Sequence, residues 1–209
     1  MTGKPFFRGR LHQILFFISL FACAWLISKG ENLKELIGLI VYSFGLLTML
    51  GTNALYHRIY WSPENRKLLK KFDHAGIYLM IAGTFTPVTL LSLSSQSANE
   101  LLIFVSVVTI LGIVQSLFFT DIPKIASSLI YISVGFLVLP YLSELAKNLT
   151  IPQIFLFLGG GAVYTFGGIA YGFKWPRLNP KVFGYHEFFH IFVSLAAIMH
   201  FIMISLFVI

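Results

Sequence analysis

Residues 186–208 read HEFFHIFVSLAAIMHFIMISLFV: one carboxylate and three histidines on an otherwise uncharged apolar run. A helix rises 1.5 Å per residue, so roughly 20 apolar residues cross a hydrocarbon core about 30 Å thick. This stretch is long enough to cross, and so is residues 152–173, PQIFLFLGGGAVYTFGGIAYGF. Working back toward the N-terminus, five more apolar runs fall near 12–29, 35–57, 72–94, 101–120 and 124–144. Loop signals separate them: Trp61 to Asn65, Ser92 to Asn99, Asp121 to Pro123, Lys147-Asn148, and Trp175 to Pro180. The pattern predicts an all-α polytopic membrane protein, a seven-transmembrane-helix bundle occupying residues 1–209 as a single domain.

Composition agrees. The chain is 57% hydrophobic and 11% charged, with mean hydropathy +0.83, whereas soluble domains carry about 25% charged residues. No stretch is polar enough to form a sizeable soluble domain. The net charge of +7 points to membrane anchoring rather than nucleic acid, because the cations sit in short loops between apolar spans. Cys23 is the only cysteine, which excludes an intramolecular disulfide. Lys4, Arg8 and Arg10 ahead of an apolar run that reaches Ala22-Cys23-Ala24 imitate a signal peptide. Span follows span after it, and the segment is read as an uncleaved first helix.

Lys and Arg set the expected orientation. Lys4, Arg8, Arg10, Arg58, Arg66, Lys67, Lys70, Lys71, Lys124, Lys174, Arg177 and Lys181 fall on one side of a seven-span topology. Lys29, Lys34 and Lys147 fall on the other. Twelve against three places the N-terminus in the cytoplasm and the C-terminus outside. In the sixth span, Gly168 and Gly172 form a small-xxx-small pair suited to close helix packing.

Ionisable residues inside spans are costly and mark candidate sites. His57 ends the second span, Asp73 and His74 open the third, and His186, Glu187 and His190 open the seventh. Alternating topology delivers His57, Asp73, His186 and His190 to one membrane level. The i, i+4 spacing of His186 and His190 puts both imidazoles on one helix face, about 6 Å apart. Three histidines with one open position suit a catalytic Zn2+ site, where the ion polarises a carbonyl and activates water. The plainer reading is a set of interfacial histidines bonded to headgroups or loops. His12 reads as an interfacial residue at a helix start, and His74 as a packing residue. His200 lies nearly three turns past His190, too deep for the same ion, and is expected to bond to a neighbouring helix. Thr84, Thr86 and Pro87 are placed to kink the third helix.

Three stretches carry a family resemblance. Asn53-Ala54-Leu55-Tyr56-His57 resembles a Ser-x-x-x-His motif; residues 72–87, FDHAGIYLMIAGTFTP, resemble the third-helix signature of hemolysin III proteins; and Gly184 to His190 is similar to their His-x-x-x-His motif. The chain is thereby identified as resembling the hemolysin III branch of the progestin and adipoQ receptor family, related to alkaline ceramidases. The resemblance implies a seven-helix fold and a zinc ion near the cytoplasmic face, held by His57, His186 and His190, with Asp73 holding its water. One position departs: Asn53 stands where the family has serine. Its amide can hydrogen-bond a carboxylate or an oxyanion, but it offers no hydroxyl.

The expected function is a metal-dependent hydrolase of lipid amide or ester bonds in a bacterial inner membrane, serving membrane lipid homeostasis. Its substrate would enter between helices, with Asp73 as general base and Asn53 as oxyanion donor. The alternatives are a receptor-like or signalling protein with structural zinc, and a cytolytic pore. His186-Glu187-Phe188-Phe189-His190 also spells HExxH, a metalloprotease pattern with the glutamate as base. Glu187 is expected to point to another face of the helix, since i+1 does not share the face of i.

Overall fold

The computed structural model describes residues 5, 7–119, 122–177, 179 and 182–209. Lys4, Asp121, Leu178, Pro180 and Lys181 of the loops and charge pattern lie outside the described residues. The elements are α1 (Arg10–Ile27), α2 (Leu33–Arg58), α3 (Pro63–Ser92), α4 (Ser95–Phe118), α5 (Lys124–Gly135), a 3-10 segment (Phe136–Tyr141), α6 (Leu142–Asn148), α7 (Ile151–Gly172) and α8 (Tyr185–Ser205). No strand occurs among the described residues. Counting Lys124–Asn148 as one span, seven helices are long and apolar enough to cross a membrane. The protein is a multi-pass integral membrane protein, and its outward side chains fit that solvent: Phe21, Phe44, Phe104, Phe155 and Ile110 are all exposed.

Local signals moved several helix ends. α3 starts at Pro63 rather than near residue 72 because Ser62 caps it, its hydroxyl accepting from the Asn65 N–H, with Pro63 in the first turn. The lysine-rich turns from Lys67 to Lys71 are therefore helical, and Asp73 lies inside a long helix instead of opening one. The expected loop from Ser92 to Asn99 shrinks to Leu93 and Ser94. Glu144 binds it from across the bundle, accepting from Ser94 N at 2.5 Å and Ser97 Oγ at 2.6 Å. The fifth span is broken where a continuous helix was expected. Pro140 has no N–H to give to the carbonyl one turn back, and the chain tightens into 3-10 turns over Phe136–Tyr141. In α3, Pro87 stays within the helix while Thr84 and Thr86 bond back to the Met80 and Ala82 carbonyls.

The helices close into a ring. α2 packs against α1 and α3, α3 against α4, α7 against α5 and α8, and α1 also touches α8. The closest backbone approach that bears on the site joins α2 to α3. A Cβ on Gly45 would lie 2.5 Å from the Leu79 carbonyl oxygen, and one on Gly76 would lie 3.2 Å from Met49 Cα. The predicted glycine pair does serve packing: Gly168 faces Ile132 and Gly172 faces Ile125 and Ser128, all on α5. Buried residues such as Leu39, Tyr42, Leu46, Leu50 and Met203 fill the interior. The α2–α3 contact matters most for function, since α2 carries Asn53 and His57 and α3 carries Asp73.

Candidate metal centre

The last turns of α2 place Asn53 and His57 on one face, four residues apart, and both are buried. The first turns of α8 do the same for His186 and His190. α3 runs alongside α2 and presents Asp73. The parts meet as follows. His57 Nε2 lies 3.2 Å from His186 Nε2. The His186 and His190 rings are 4.5 Å apart, and those of His57 and His190 are 5.5 Å apart. Asp73 Oδ2 is 3.8 Å from His57 Nε2, and Asp73 Oδ1 accepts from Asn53 Nδ2 at 2.8 Å.

The three imidazoles could hold a metal ion. One nitrogen from each of His57, His186 and His190 lies within 4.8 Å of the others. Two nitrogens bound to a tetrahedral zinc at 2.0–2.1 Å stand about 3.3 Å apart, close to the His57–His186 separation. Two facing imidazole nitrogens at 3.2 Å repel through their lone pairs unless a proton or a cation lies between them. His190 Nε2 is buried and has no hydrogen-bond partner, a costly state that a metal bond would relieve. The donor set fits an imidazole-binding ion. Among the described residues Asp73 falls outside this group, with its Oδ2 3.8 Å from His57 Nε2.

Other expected residues sit elsewhere. Glu187 is buried and committed: its carboxylate accepts from the Gly184 N–H at 2.8 Å and pairs with Arg8. It caps α8 and ties the chain ahead of α1 to it, which is not the posture of an HExxH general base. His200 Nε2 bonds the Phe157 carbonyl on α7 at 3.1 Å, the neighbouring-helix bond foreseen. Its ring packs where a Cβ on Gly160 would stand. His74 is half-buried on α3 and outside the histidine group. His12 departs from expectation. It is not interfacial but 2% exposed, with its ring nitrogens 3.2 and 3.3 Å from His190 Nδ1.

Sequence reasoning also missed what holds this end together. Gly9 adopts φ 73°, and a Cβ there would lie 2.7 Å from His57 Cβ, so only glycine lets the start of α1 settle against α2. Lys124 Nζ meets the Tyr185 hydroxyl at 2.5 Å and stands over the Tyr171 ring. A cleft of about 280 Å³ lined by Arg8, Lys174, Arg177, Gly184, His186 and Glu187 opens beside the cluster. These contacts join residues scattered along the chain and have no local signature.

The profile of the family described as haemolysin-III related matches residues 2–201. Hemolysin-3 of Bacillus cereus is 32% identical over 181 residues, covering 87% of this chain and 80% of that protein. A hemolysin-3 homolog of Bacillus subtilis (strain 168) is 28% identical over 185 residues, covering 87% of this chain and 84% of its own length. A match across almost the whole chain places this protein in the haemolysin-III-related family.

Proposed function

We propose that the protein is a zinc-dependent hydrolase of lipid amide or ester bonds, working in a bacterial inner membrane with its N-terminus and histidine cluster on the cytoplasmic side. The observation that carries the reading is a buried three-imidazole group beside a carboxylate that is not part of it. Structural zinc sites are closed by four protein ligands, whereas catalytic sites keep one position for water or substrate.

His57, His186 and His190 would hold the ion. When bound, zinc polarises a carbonyl and makes water a nucleophile near neutral pH. Asp73 then accepts the proton of the attacking water and returns it to the leaving group, the ordinary work of a general acid–base. Asn53 orients that carboxylate through its 2.8 Å bond. The second N–H of the same amide remains for a developing oxyanion, which fits the absence of a hydroxyl at this position. A lipid reaches the site between helices, keeping its chains in hydrocarbon while the polar bond meets the cluster. Membrane lipids are the expected partners and lipid homeostasis the expected role.

The first measurement is the metal content of detergent-purified protein, followed by a lipid amide and ester hydrolysis screen of wild type beside Asp73→Asn. The expected result is about one zinc per chain in both and a rate lower by about 10²–10⁴-fold in the variant. Wild type without zinc, or equal turnover in both proteins, would sink the proposal. Unchanged zinc with no turnover on any lipid would favour the receptor-like reading instead. Ion leakage from empty liposomes that is insensitive to Asp73→Asn would favour a pore, in keeping with the relatives' name.

A further inference from the structure

We propose that His12 is a positioning residue of the metal centre: it holds His190 through Nδ1 and so fixes the tautomer that leaves Nε2 for the ion. The inference rests on the metal-binding reading above and concerns a residue outside the three-histidine group.

The argument begins with where His12 lies. The buried residues of α1 are His12, Ser19, Cys23 and Leu26. Their spacing of seven, four and three traces one helix face, which the fold turns toward α2 and α8. The opposite face of this helix carries the exposed Ile14, Phe17, Ile18 and Phe21. An imidazole on the inner face must find partners there, because a buried polar group without them is expensive. Its partner is His190. The two rings meet edge to face, with centroids 4.4 Å apart. His190 Nδ1 lies 3.2 Å from His12 Nδ1 and 3.3 Å from His12 Nε2, so a His12 nitrogen is near in either tautomer of that ring.

Proton accounting fixes the roles. A neutral imidazole carries one donor and one acceptor. For His190 Nε2 to bind a cation it must be unprotonated, so Nδ1 carries the proton and needs an acceptor. His12 is the group on that side of the ring. The unprotonated nitrogen of His12 accepts, and its other nitrogen then carries a proton to donate. The Asn53 side chain adjoins His12. Its Oδ1 is a buried acceptor without a hydrogen-bond partner, while its Nδ2 donates to Asp73. Asn53 thus offers the second nitrogen of His12 an unfilled acceptor next to the amide nitrogen that donates to Asp73. An amide suits this place because it donates and accepts through different atoms.

Partners that orient a ligating histidine are commonly worth about 10–100-fold in metal affinity. The test compares zinc affinity, by competition with a chelator in detergent, and the absorption spectrum of the cobalt-loaded protein. The expected result is a loss of about 10–100-fold in His12→Met, with an altered cobalt spectrum. His12→Gln, which keeps a neutral acceptor and donor, should stay within about threefold of wild type. Equal affinity in wild type and His12→Met overturns the inference, as does a His12→Gln variant that falls as far as His12→Met. If His12→Met is not recovered folded, the cobalt-loaded wild type decides. The His190 Nδ1 proton must then appear as a hyperfine-shifted resonance that exchanges slowly with D2O, and fast exchange overturns the inference. Wild type that binds no zinc sinks both the metal reading and this one. Zinc binding indifferent to His12 sinks only this one.

Discussion

Replacing His57 by alanine tests the centre where its parts meet, since this ring faces His186 at 3.2 Å and Asp73 at 3.8 Å. Zinc sites with four protein ligands bind with about 10–16 kcal/mol, or roughly 3 kcal/mol per ligand. Losing one imidazole of three should therefore weaken binding by about a hundredfold. The consequence for stability is measurable. At a free zinc concentration of 100 times the wild-type Kd, the ion stabilises the folded protein by about 2.7 kcal/mol; a hundredfold weaker site gains only about 0.4 kcal/mol. For a chain of this length, taking about 2–4 °C per kcal/mol, zinc should raise the wild-type Tm by about 5–10 °C and that of His57→Ala by about 1 °C. His57 is 3% exposed, so its truncation also leaves a cavity. That cost is present with and without zinc and cancels in the difference between the two melts. The assay is a thermal melt in detergent, with and without buffered zinc. An equal zinc-dependent rise in both proteins would refute the three-imidazole site.

Three further predictions follow from the same geometry. Glu187→Gln should keep lipid turnover within a few-fold of wild type while lowering stability by about 1–3 kcal/mol, because it weakens the part-buried pair with Arg8; a loss of activity like that of Asp73→Asn would restore the HExxH reading. Gly45→Ala should cost about 1–3 kcal/mol and reduce zinc affinity, since its Cβ meets the Leu79 carbonyl oxygen at 2.5 Å and pushes the His57 helix from the Asp73 helix. Gly161→Ala, with nothing within 4 Å, is the neutral control for that change, and equal behaviour of the two variants would count against the α2–α3 contact. Zinc affinity should fall on acidification, because each imidazole must be neutral to bind; an affinity that stays constant down to the lowest pH at which the protein remains folded would argue against imidazole ligands.

Seven runs of apolar residues were enough to read a membrane bundle from the chain, because hydrocarbon imposes both a length and a composition on whatever crosses it. Alternation of those spans was enough to bring His57, Asp73, His186 and His190 to one level, and the i, i+4 pair to one helix face. The start of α3 was missed because its Ser62-Pro63 cap lies inside a stretch that reads as a loop. His12 was misread because it follows Arg8 and Arg10 and its position looks terminal; only its register with Ser19, Cys23 and Leu26 hinted that it faces inward. The rotation of α1, the pairing of Arg8 with Glu187, and the commitment of Asn53 to Asp73 were decided by the tertiary structure alone. Periodicity and hydropathy act along one helix, whereas which imidazole meets which depends on how several helices turn about their axes, and only their mutual packing sets that.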